Sequence, residues 1–164
     1  MHVKPFILLV SILFVAALFC LGGADEVKHK YVGEKQCKIC HTKSGIYDSW
    51  LASKHARAWE GLSEENKKNE EFKKFYTTGV NEKGELLTGI QCEACHGPGS
   101  DYKKKSVMEN LELAISNGLV IPNEKTCRGC HNEKAPAALA ATAKDFNFEK
   151  MKAKGVHLIP PKGK

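Results

Sequence analysis

The pattern Cys-x-x-Cys-His occurs three times, as CKICH at 37–41, CEACH at 92–96 and CRGCH at 127–131. Two thiols one helical turn apart, followed directly by an imidazole, form the attachment signature of a c-type haem. The thiols make thioethers with two vinyl groups along one edge of the porphyrin, and the next residue lies under the iron as its proximal ligand. On this reading Cys37, Cys40, Cys92, Cys95, Cys127 and Cys130 hold three haems covalently, and His41, His96 and His131 are the proximal ligands. No catalytic residue is expected.

Other chemistries use parts of this pattern. Structural zinc pairs two Cys-x-x-Cys half-sites, and three identical units leave one unmatched. An iron–sulfur cluster wants four closely grouped thiolates. A redox disulfide does not require the histidine. Haem uses every residue of all three copies.

The seventh cysteine, Cys20, lies outside the pattern. It belongs to a leader with Lys4, an apolar run from Phe6 to Leu21 and the small residues GGA ending at Ala24. That layout reads as a secretory signal peptide over 1–24, leaving 25–164 as one triheme cytochrome domain. The chain is then exported to the periplasm or beyond, where c-type haem is attached. An uncleaved leader would instead anchor it to the membrane. Cleavage removes Lys4 and takes the formal charge from +6 to +5. Each haem adds roughly two propionates and, when ferric, roughly one positive charge at iron, so the holoprotein comes to about +2 oxidised and about −1 reduced. Such a body, with its lysines interleaved with acids, does not fit nucleic-acid binding. The cluster DYKKKS at 101–106 reads as a solvated face, able to dock briefly with redox partner proteins.

A six-coordinate iron needs a second ligand, and the mature chain has three further histidines, His29, His55 and His157. His55 recurs with Trp50, Leu51, Ala58, Trp59 and Leu62 at helical spacing. His157 follows a short segment that Asp145 could cap and Gly155 could end. His29 lies near the mature N-terminus, where segments are usually mobile, and it could also serve a neighbouring subunit. Met108 and Met151 read as helix-core residues. In the second motif, Gly97 and Gly99 let the backbone turn sharply and pass close to the macrocycle, and Pro98 stiffens the turn.

The remaining punctuation predicts an extended lead-in over 25–36 and a helix from Ser44 to Leu62. A second helix starts at Ser63 and stops at Gly79, and a turn at Asn81–Gly84 joins two short strands. A third helix runs from Lys103 to Asn117, stopped by Gly118. A loop over 119–126 leads to the third motif, and the tail IPPKGK is expected to fray. The fold class is mainly α with extensive loops, a small multihaem cytochrome c organised around stacked haems. A conventional core is meagre, so the chain without haem should fold poorly.

The segments HKYVGEKQCKICH, WLASKHARAWEGL, GIQCEACHGPGS and CRGCHNE…FNFEKMKAKGVH, in this order, resemble the cytochrome c-554 type multihaem family, over Tyr31 to His157. The resemblance implies a secreted electron-transfer protein with closely packed haems. It also implies distal-ligand roles for His55 and His157. The family's namesake carries four haems, and this chain has three motifs. The reading is therefore an electron carrier cycling Fe(III)/Fe(II) at three haems of bis-histidine type, in anaerobic or extracellular respiration. Two alternatives stand beside it. One is a subunit of a polymeric filament or relay complex. The other is a redox enzyme for a nitrogen oxide or peroxide at an open haem.

Overall fold

The structure, a computed structural model, describes residues 29–137, 139 and 145–159. The leader, its cleavage site and the end of the tail lie outside the described residues. The chain is mainly helical, with short helices, long connections and one small sheet. In order these are α1 (Glu34–His41), α2 (Ile46–Leu51), α3 (Glu64–Lys68), α4 (Glu70–Tyr76), β1 (Thr77–Val80), β2 (Leu86–Thr88), α5 (Cys92–His96), α6 (Lys105–Met108), α7 (Leu111–Ser116), α8 (Glu124–Arg128) and α9 (Phe148–Lys154).

Each of the three long helices expected from the sequence is interrupted. The first is helical only over α2. Beyond Leu51 its carbonyls serve other partners: His55 O accepts from Ile90 N at 3.2 Å, and Ser53 N turns back to Trp50 O at 2.8 Å. Leu51 is consequently exposed, while Trp50 is buried and donates its indole N–H to Ile90 O at 3.1 Å. The second helix starts at Ser63 as expected, with the Ser63 hydroxyl capping Asn66 N. It then breaks at Asn69, whose extended backbone and side chain cap α4. The third breaks at Asn110, which caps Leu113 N at the start of α7. An asparagine whose side chain bonds backbone N–H groups offers the chain an N-cap in place of helix continuation.

Gly79 does not stop a helix. It lies within β1, beside a register shift in the antiparallel pairing with β2, and its face is covered by the Tyr31 ring. The turn at Asn81–Gly84 is present, closed by Gly84 N to Asn81 O at 3.0 Å. At the C-terminal end the cap of α9 is Asn147 and not Asp145, and Gly155 ends the helix with φ 69°. Met151 is exposed and not a core residue.

The lead-in runs extended only to Gly33 and is stitched to the loop after the second motif. Lys30 N donates to Ser100 Oγ at 3.0 Å, and Ser100 N returns a bond to Lys30 O at 3.1 Å. Val32 and Gly33 bond the Glu93 carboxylate. These contacts join the start of α1 to α5, so the first two motifs are built on one framework. Tyr47, Trp50, Phe75, Leu87, Tyr102, Ala114 and Ala135 are the buried apolar residues among those described. That is a thin core for a chain this long.

Candidate functional site

The first two motifs sit on helices, α1 and α5, and the third is carried by α8 and the turn after it. Asn123 starts α8 with a reciprocal capping box to Thr126. The six thiols are unbridged. The adjacent Cys92 side chain and burial together hold the Cys37 thiol well above the ordinary thiol range. Burial pushes Cys95 up to about 11, and the neighbouring Cys127 and Cys130 of the third motif add to it. The second motif therefore borders the first through Cys92 and the third through Cys95.

The histidines come together in pairs. The rings of His96 and His157 lie with centres 6.0 Å apart, and those of His55 and His131 are also 6.0 Å apart. An imidazole nitrogen binds a transition metal at about 2 Å, so two rings sharing one iron stand about 6 Å apart between centres. Burial lowers the proton affinity of His96, His55 and His131, and proximity of His157 or His131 lowers His96 and His55 further. Neutral imidazole is the form that ligates metal.

The tautomers agree. His96 Nδ1 donates to Val120 O at 3.1 Å and His157 Nδ1 to Leu158 O at 2.8 Å. A carbonyl can only accept, so each of these rings keeps Nε2 as its lone-pair nitrogen. His157 is positioned by Leu158 N, which donates to Ser49 Oγ at 2.8 Å across to α2. The residues thus suit haem on two counts: paired, half-buried imidazoles, and thiols one turn apart of which all but Cys40 are partly buried.

His41 is lowered by burial and by nearby His157. No ring contact joins it to His29 among the described residues. His29 is not a loose terminal residue, since its Nδ1 lies 2.6 Å from Asp101 Oδ2 and its ring rests on Gly118. The bond to Asp101 leaves Nε2 as the nitrogen able to meet a metal.

Several supporting groups escaped the sequence reading. Phe146 stacks on His131 at 4.9 Å and carries the Arg128 guanidinium on its ring at 4.8 Å. Asp101, Ser49 and the Val120 carbonyl orient histidines from distant parts of the chain. The FNF triplet was the one visible hint, as aromatics beside an expected helix start.

The glycines of the loop after the second motif divide their roles. Gly97 adopts φ 78°, ψ 167°, a region essentially open to glycine alone. A Cβ there would also meet Gly118 O at 2.9 Å. Gly99 serves close approach to Glu93 and Val32 instead of a positive-φ turn. Gly97→Ala is expected to lower the stability of the haem-loaded protein by about 1–3 kcal/mol, read as a shifted denaturant midpoint. An unshifted midpoint would contradict the strain argument.

Known proteins resemble this chain in sequence and in fold. The family model for outer membrane cytochrome MtrC/MtrF-like, domains II/IV, matches residues 19–157. Cytochrome c-554 of Nitrosomonas europaea is 32% identical over 159 residues, the match taking in 73% of this chain and 66% of that one. The chain thus spans about two thirds of that relative's length. The solved structure of reduced cytochrome c554 from the same organism superimposes with a TM-score of 0.60, over 80% of this chain and 86% of that one. Identity across the superposition is 19%, so this second likeness speaks to the fold.

Proposed function

Because this chain belongs to the multihaem c-type cytochromes of the MtrC/MtrF-like and c-554 kind, an electron-transfer family with covalently bound c-type haem, we propose that it is a triheme electron carrier. The observation that carries this reading is the pair of histidine couples, His96 with His157 and His55 with His131, each with ring centres 6.0 Å apart.

The chemistry that bound haem supplies is one-electron Fe(III)/Fe(II) cycling. The chain's own residues attach, orient and shield it. Cys37 and Cys40, Cys92 and Cys95, and Cys127 and Cys130 hold the three groups. His41, His96 and His131 are the proximal ligands. His157 serves the second motif and His55 the third as distal ligands. His29, held by Asp101, is the remaining candidate for the first. Val120 O and Leu158 O fix the tautomers of His96 and His157, and Phe146 buttresses His131. Bis-histidine ligation places potentials below those of His/Met sites, since methionine raises them.

The proximity of Cys92 to Cys37 and of Cys95 to Cys127 and Cys130 supports a relay whose middle member is the second motif. Export through the leader to the periplasm or cell exterior, and a place in anaerobic or extracellular respiration, complete the reading. The exposed Lys103, Lys104 and Lys105 suit brief docking of a redox partner.

Reductive titration should take up about three electrons per chain, reversibly, without turnover of nitrite, hydroxylamine or peroxide. Uptake of fewer electrons, or steady turnover of one of those molecules, would replace the carrier reading with a smaller cytochrome or with an enzyme.

A further inference from the structure

We propose that Glu93 is a fixed buried anion that makes the haems of the first and second motifs the low-potential pair, so that electrons run from them towards the third. The proposal rests on the three-haem reading above.

Glu93 occupies the second position of CEACH and is 1% exposed. Its oxygens accept from Val32 N at 3.0 and 3.1 Å, from Gly33 N at 2.7 Å and from Gly99 N at 2.6 Å. Every partner is a donor, the set that a carboxylate anion requires and that a neutral acid would leave unmatched. Among the described residues no lysine, arginine or histidine forms an ion pair with it. The glycines are part of the cage, since a Cβ on Gly99 would stand 3.0 Å from Oε1. The charge is therefore held by backbone dipoles, away from water, where its field is weakly screened.

The placement makes this charge selective. Val32 and Gly33 lead directly into α1, which carries Cys37, and Glu93 follows Cys92. Burial raises the neighbouring Tyr102 phenol, and the field of Glu93 adds to that push. Glu34, hydrogen-bonded by Tyr47 at 2.6 Å, adds charge of the same sign near Cys37. Reduction adds one electron from an external donor to Fe(III) and removes one positive charge from the centre. A nearby fixed anion opposes that step and lowers the midpoint potential.

The test is a redox titration of the intact haem-loaded protein, followed by NMR of haem methyl resonances assigned to each motif. The third-motif haem should reduce first. Glu93→Gln should raise the midpoints of the first two haems and leave the third in place. Glu93→Asp, which keeps the charge, should preserve the order of all three. Haem content is measured first in every sample. Should Glu93→Gln fail to mature, the order in the unmodified protein and in Glu93→Asp decides. A third-motif haem that reduces last, a Gln variant with unmoved midpoints, or an Asp variant that mimics Gln would overturn the proposal. An unmodified protein with fewer than three haems would overturn the three-haem reading instead.

Discussion

Replacing all six motif cysteines by serine is expected to abolish cooperative folding. The described core comprises seven apolar residues, two of them alanines. Meanwhile Ile39, Val120, Ile121, Val156, Leu158 and Ile159 stand exposed. Their positions are telling: Ile39 lies inside the first motif, Val120 and Ile121 beside His96's backbone partner, and the last three around His157. These are the surfaces that porphyrin faces would cover. A domain retains only about 5–15 kcal/mol of net stability, and burial yields about 25 cal/mol per Å² of apolar surface. On the proposed three-haem reading, losing the macrocycles would remove more apolar burial than that margin. Calorimetry and near-ultraviolet circular dichroism of the serine variant should show no sharp transition and no fixed aromatic environment. A sharp unfolding transition in that variant would show that the polypeptide carries its own core.

Replacing His157 by alanine should open one iron, and replacing His55 should open another. Each reduced variant should then bind about one carbon monoxide per chain more than the parent, with a low- to high-spin change at a single haem. His157 is well suited to this test because its ring is held from outside the motif, by Leu158 O and through Leu158 by Ser49. Removing it leaves α5 and the second motif's thiols untouched. His55 is different, since its backbone carbonyl bonds Ile90. The alanine variant keeps that carbonyl and deletes only the imidazole. If neither variant gains a carbon monoxide site, the couples seen as ring pairs are not ligand pairs.

The motifs, the spare histidines and the mainly helical character were legible in the sequence because each is local. Cys-x-x-Cys-His spans one turn, and the caps at Ser63 and Gly155 act within a few residues. The breaks at Asn69 and Asn110 were harder to see. Asn69 sits in a polar stretch and Asn110 in an amphipathic one, and in either an asparagine reads equally well as a helix surface or as a new N-cap. Beyond Leu51 the apolar spacing continued at helical period, but His55 O is claimed by Ile90, a partner far along the chain. The pairing of His55 with His131 and of His96 with His157 was illegible for the same reason. Glu93 illustrates the limit most clearly: as one variable position of a motif it looks interchangeable, and its cage appears only when Val32, Gly33 and Gly99 are brought to it. The anchoring of His29 was illegible too, because position near a terminus says nothing of the bond that Asp101 supplies or of the tie between Lys30 and Ser100.

Intact mass of the purified protein, taken with its pyridine haemochrome spectrum, tests the central claim most directly. The account predicts a chain lacking residues 1–24 and carrying the mass of three haems that acidified acetone does not extract. A colourless chain, one that releases its pigment to acid acetone, or one heavier by only two haems would contradict it.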